Sequence, residues 1–276
     1  MTAFPAPDAF RAAYPEQPAK LRHTLSDHPL LALDALAGLA GRLDPAHIEY
    51  NRADLPVGLR PEDTPDNGLS IADTVRTIAD NGSWMVMKWV ENDGAYRALL
   101  EDTLADIRPL VRDATGEMLK LEGFIFLSSP NAVTPFHFDP EHNILLQIRG
   151  AKTMTVFPAD DREIAPAAEH ERYHMGGHRN LPWNESWGSR GKDFPLGPGE
   201  AVYVPVKAPH FVRNGPEPSV SFSVTWRSEW SYRESAAHGF NHSLRRIGID
   251  PAPPARFPRQ NRAKALGWSV LHRLGL

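Results

Sequence analysis

The spacing of apolar residues changes once along this chain, near Leu121, and that change limits the fold more than any other feature. From there the runs LEGFIFLS, NILLQIR, KTMTVF, AVYVP and SVSFSVTW are short, rich in β-branched and aromatic residues, and separated by Gly, Pro and Asn. Such runs read as strands with tight connections. With no helix of β-α-β length between them, they predict an antiparallel barrel or jelly roll, mainly β, rather than a parallel sheet.

Upstream the period is helical. Leu21 to Leu43 repeats apolar residues at Leu30, Leu33, Leu36, Ala37 and Ala40, with Asp27 placed to cap and Gly41 to stop the helix. Ser70 and Asp73 resemble a capping box opening SIADTVRTIAD, Asn81-Gly82 closes it, and SWMVMKWV reads as a buried strand. A further helix is expected from Asp93 to about Asp113. The expected organisation is a helical or mixed extension over 1–120, a barrel core over 121–235 with one irregular insertion at 159–194, and a basic extension over 236–276 ending in a helix. Loops as long as that insertion are functional or disordered as a rule.

Composition narrows the chemistry. The 276 residues include no Cys, so thiolate metal sites and disulfides are excluded and any metal must take nitrogen and oxygen ligands. The N-terminus lacks a signal peptide's basic end and apolar run, and no later run is long enough for a bilayer, so a soluble, cytoplasmic chain without membrane partners is expected. The net charge of −4 gives no basic footprint for nucleic acid, and no DNA-reading element is recognisable. From Asn241 onward seven Arg or Lys face Asp250 alone, which leaves about −10 on the rest of the chain.

The stretch TPFHFDPEHN carries the chemistry. On a strand, His137 and Asp139 leave the same face and Phe138 the other. An imidazole and a carboxylate facing one small volume suit Fe(II), Mn(II) or Zn(II), given a third ligand. His210, just past the strand after Gly197-Pro198-Gly199, is placed to complete a 2-His-1-carboxylate set. In GAKTMTVF, alternation puts Lys152, Met154 and Val156 on one face; inside a barrel Lys152 would be a buried ammonium needing an anion such as a dicarboxylate. His142, beyond Pro140, reads as solvated or supporting. His170, His174 and His178 read as a solvated loop cluster because Gly176-Gly177 should break a helix. Trp183, Trp187, Trp226 and Trp230 read as packing. Asn143, Gln147 and Arg149 share a face with Leu145, which points either into the barrel interior or, if the face is reversed, into solvent.

The order of these motifs, TPFHFDPEHN, LLQIRGAKTMTVFP, GPGEAVYVP and then Pro209-His210, resembles the cupin-like JmjC oxygenases, and within them the branch containing the asparaginyl hydroxylase factor inhibiting HIF. The likeness covers roughly Leu121 to Trp226 and matches the insertion poorly. It implies a double-stranded β-helix, iron held by His137, Asp139 and His210, and 2-oxoglutarate held at its far carboxylate by Thr134 and Lys152, with Asn143 also in the site. It further implies an Fe(II)- and 2-oxoglutarate-dependent oxygenase hydroxylating a protein or peptide side chain, with release of succinate and CO2. A small metabolite or an RNA base would suit the same chemistry, and a catalytically silent binding or regulatory module would suit the same fold. The segment Asn261–Leu276 is a candidate homodimer element.

Overall fold

The computed structural model describes residues 2–53, 57 and 67–274. In the first part of the chain α1 (Asp8–Ala13), β1 (Ala19–Arg22), α2 (Leu33–Ala40), β2 (Ile48–Arg52), α3 (Ile71–Arg76) and β3 (Ser83–Lys88) precede the helix pair α4 (Gly94–Ala105) and α5 (Arg108–Thr115). Four strands follow: β4 (Met118–Ser128), β5 (Val133–His137), β6 (His142–Arg149) and β7 (Lys152–Val156). After α6 (Ala167–His174) come β8 (Lys192–Leu196), β9 (Glu200–Val204), β10 (His210–Asn214) and β11 (Ser219–Ser228). The chain closes with α7 (Glu229–Arg246) and α8 (Arg262–Arg273).

The strands form two antiparallel sheets, one ordered β1-β9-β6-β11-β4-β3-β2 and one ordered β5-β10-β7-β8. They face each other as a jelly roll, with Leu145, Met154, Val156, Val202, Val204 and Val212 packed between them. The outer face of the larger sheet carries the main core, where Ile144, Leu146, Phe222 and Val224 meet Leu36, Leu39, Leu100 and Leu104 from the helical layer. Alternation along β6 and β11 sends successive side chains to these two cores. Gly150 turns β6 into β7 at φ +69, and a Cβ there would lie 2.4 Å from the Pro218 carbonyl oxygen, so only glycine fits.

Several expectations are revised. The helix expected over Leu21–Leu43 is confined to α2, because Ala19–Arg22 pairs with the edge strand β9 and Pro29 starts a separate short turn capped by His28 rather than Asp27. The helix expected from Asp93 to Asp113 breaks between α4 and α5, where Pro109 cannot donate to the preceding turn. β1, β2 and β3 belong to the larger sheet itself, α7 runs across residue 235, and β8 begins inside the stretch read as irregular. Two arginines of the basic C-terminal stretch are tied to the rest of the fold: Arg245 to buried Glu171, and Arg256 to Glu16.

Candidate metal centre

His137 and His210 stand opposite each other in the β5–β10 pair, ring centroids 4.3 Å apart. An Asp139 carboxylate oxygen lies 3.8 Å from His137 Nε2, and the other lies 3.6 Å from His210 Nε2. Among the described residues this is the one group of three or more such side chains whose donor atoms all lie within 4.8 Å of one another, and all three are buried.

Each ring donates Nδ1–H to a backbone carbonyl, His137 to Pro135 at 2.7 Å and His210 to Ala208 at 2.9 Å. A carbonyl only accepts, so Nδ1 carries the hydrogen and Nε2 keeps a lone pair on the Asp139 side. Burial, reinforced by the neighbouring His210, pushes His137 down to about 3, and burial lowers His210 as well. Both rings are therefore neutral at pH 7. Burial works against the Asp139 charge, but the Arg179 guanidinium beside it overcomes this and holds the carboxyl well below the usual range. Two neutral nitrogen donors and one carboxylate, with tautomers fixed by backbone acceptors, fit a divalent ion such as Fe(II), Mn(II) or Zn(II).

The remaining site residues share the inner face. Val156, Met154 and Lys152 of β7 stand opposite His210, Val212 and Asn214 of β10. Lys152 is buried, and its ammonium makes no hydrogen bond or ion pair to any described residue. Burial alone pushes it down to about 7. An unpartnered cation inside a barrel is a site for an anion. Opposite it, the Asn214 side-chain oxygen is buried with no partner among the described residues, while its amide donates to the Ala132 carbonyl at 2.9 Å. Asn143 is buried on this side, accepts from Ser223 Oγ at 2.7 Å, and hydrogen-bonds toward Asp139. Thr134 stands opposite Val212 across a bulge, which brings it to the inner face too.

Other residues fall elsewhere. Gln147 is buried but locked, its amide on the carbonyls of Arg149 and Gly150 and its oxygen accepting from Ser221, and Arg149 is exposed. His142 is not solvated: it points into the outer core, bonded to Tyr203 at 2.9 Å and Ser228 at 3.1 Å and stacked on Trp226. His170 is likewise fully buried, against Phe138 and His238, and His174 stacks on His238; His178 lies beyond the helix. Trp226 and Trp230 are core residues, as their packing role requires.

Two groups near the metal ligands had no sequence signal. Residues 179–181 of the insertion run beside β5, with Leu181 N donating to Phe136 O at 2.9 Å and a bridge from Asn180 to His137. That pairing delivers Arg179, whose Nη1 donates to Asp139 Oδ1 at 2.5 Å and leaves Oδ2 on the His210 side. Glu141 lies just beyond, pushed up to about 7 by burial and by Asp139.

A jelly roll with a buried His-Asp-His group facing an unpartnered lysine defines a cupin-type metal site. No family model matches the chain. The chain is 30% identical over 112 residues to Jumonji C domain-containing protein 5 of Drosophila melanogaster, covering 37% of this chain and 26% of that protein. Among solved structures it resembles Escherichia coli YcfD at a TM-score of 0.52 and 17% identity, over 98% of this chain and 68% of the other. YcfD described as a ribosomal oxygenase in complex with cobalt and 2-oxoglutarate gives 0.50 at 16% identity, over 98% and 67%. The chain thus spans about a quarter of the curated relative and about two thirds of YcfD. The structural likeness shows the jelly-roll fold.

Proposed function

We propose that this protein is an Fe(II)- and 2-oxoglutarate-dependent oxygenase that hydroxylates a protein or peptide side chain. One observation carries the reading: Lys152, a buried cation without a counter-ion, shares the inner face of one four-stranded sheet with a neutral His137–His210 pair, and the Asp139 carboxylate reaches both rings from just past the end of β5. A metal that binds at the three ligands and an anion that binds at Lys152 would be fixed to the same wall.

When bound, iron and 2-oxoglutarate supply the oxidising chemistry, consuming dioxygen, releasing succinate and CO2, and hydroxylating a substrate C–H bond. The chain supplies position. His137, Asp139 and His210 would hold the ion with two imidazole nitrogens and one carboxylate. Lys152 would hold the far carboxylate by a charge-assisted hydrogen bond, with the Thr134 hydroxyl beside it and Asn143 steadying Asp139. Phe136, Phe138, Phe157 and Phe211 pack behind β5 with Ile164 and Leu181, keeping water from that side.

The protein-substrate class is supported by the description of YcfD as a ribosomal oxygenase, and the Arg179-bearing segment of the insertion is the surface a peptide would meet first. The finer kinship with factor inhibiting HIF rests on the order of TPFHFDPEHN, LLQIRGAKTMTVFP, GPGEAVYVP and Pro209-His210. A homodimer through α8 is part of the proposal: Leu266, Val270 and Leu274 recur every fourth residue and are exposed. No described helix is long and apolar enough to cross a membrane; we place the protein in the cytoplasm. Anaerobic titration of the Fe(II)-loaded protein with 2-oxoglutarate tests the site. A new visible absorption band that is absent from Lys152→Ala is expected, and no band in the native protein would remove the oxygenase reading and favour a silent binding module.

A further inference from the structure

Behind the metal centre lies a buried polar group that the proposed chemistry does not use. Lys207, in the turn between β9 and β10, and Glu234, on α7, are almost fully buried and joined at 2.7 Å. Glu234 also accepts from His238 Nε2 at 2.9 Å, and His238 packs against His170 and His174 of α6. Apolar residues of similar volume would serve stability as well or better than such an ion pair, so its presence asks for another reason.

The backbone of Lys207 supplies one. The residue sits in the left-handed region at φ 61, which side chains other than glycine disfavour unless their surroundings impose it. In that conformation its N–H donates to the Asp139 carbonyl oxygen at 2.7 Å. The next residue, Ala208, presents the carbonyl that receives the Nδ1–H of His210. One turn therefore fixes the backbone of the carboxylate ligand and the tautomer of a histidine ligand. It is held from outside by the ion pair to α7 and by Arg256, which donates to the Val206 carbonyl at 3.0 Å.

We propose that Lys207 and Glu234 are positioning residues for the metal centre: their pair locks the turn over 205–209 and through it sets Asp139 and His210. This rests on the reading of His137, Asp139 and His210 as ligands. The turn acts through backbone atoms, so the pair touches neither metal nor substrate.

The test is Mn(II) affinity by calorimetry on the full chain, with thermal unfolding of the metal-free protein as a second readout. Glu234→Gln leaves Lys207 buried without its anion; the turn opens, Kd weakens at least tenfold, and the unfolding temperature falls. Lys207→Met combined with Glu234→Leu removes both charges, so the unfolding temperature recovers, yet the left-handed turn keeps only the Arg256 bond to Val206 and Kd stays at least tenfold weak. That split separates positioning from a merely structural role. Native affinity in the folded double variant overturns the proposal, whether or not Glu234→Gln folds. A native chain that binds no Mn(II) removes the ligand reading itself, and this inference falls with it.

Discussion

Thr134 and His137 face the same side of β5 although they are three positions apart, because β10 advances only two positions, from His210 to Val212, between their partners. The bulge restores the inner face that plain alternation would deny to Thr134. If its hydroxyl serves the bound anion, Thr134→Val should leave Mn(II) affinity unchanged and weaken 2-oxoglutarate about tenfold, roughly 1.4 kcal/mol. Calorimetry with each ligand in turn reads both numbers.

Lys152 should cost stability in the absence of its anion. Its folded value is lowered to about 7 by burial, so between pH 7 and about 10 the unfolded chain keeps a proton that the folded chain has lost. Stability contributed through this group therefore rises with pH across that window. Lys152→Met should be more stable than the native chain by about 2–4 kcal/mol at pH 7, with the gap narrowing toward pH 10, and should no longer bind 2-oxoglutarate. Urea unfolding at several pH values checks this; an equally stable or weaker variant at pH 7 would show that Lys152 has a partner within the fold.

Acid should unfold this protein early. Burial lowers His142, His170, His174 and, to about 4, His238, all outside the metal ligands. Each is neutral when folded and protonates in the unfolded chain near pH 6.5, so their contribution is complete above that value and is lost as pH falls. Each can add a slope of up to about 1.4 kcal/mol per pH unit. Unfolding free energies at pH 7.5, 6 and 5 should drop steeply before carboxylates titrate; a flat profile to pH 5 would contradict the buried neutral assignments.

Helix α8 docks on α7 through two glycines. A Cβ on Gly239 would lie 2.9 Å from the Trp268 ring, and one on Gly267 would lie 2.5 Å from Phe240. Gly239→Ala should cost about 1–3 kcal/mol by displacing α8. If α8 carries the dimer, both Gly239→Ala and Leu266→Glu shift the sedimentation profile to monomer; a native chain that sediments as a monomer removes the dimer.

The sequence shows what strand alternation encodes and little that arrives from a distance. His137, Asp139 and Lys152 could be placed because their neighbours set a period of two, and His210 because a strand leads into it. Thr134 could be placed only by resemblance, since the bulge exists in the pairing with β10 and in no local pattern. The burial of His142 has no local signal, because its partners Tyr203 and Ser228 lie 61 and 86 residues away. Arg179 arrives by strand addition inside a segment with no apolar period, and α7, whose polar face covers Glu234 and His238, gave too weak an amphipathic signal to be read as an 18-residue helix. The start of the Leu21–Leu43 pattern lost to pairing with β9, a case of tertiary contact overriding local propensity.

If His137, Asp139 and His210 hold iron for chemistry on a 2-oxoglutarate held by Lys152, the native chain turns over 2-oxoglutarate and the ligand variants do not. The most direct measurement is succinate formation by Fe(II)-loaded protein given 2-oxoglutarate and dioxygen, with His137→Ala and Lys152→Ala alongside. Succinate from the native chain, at least a hundredfold above both variants, is expected. Succinate at the same rate from all three, or none from a native chain shown to bind both iron and 2-oxoglutarate, would contradict it.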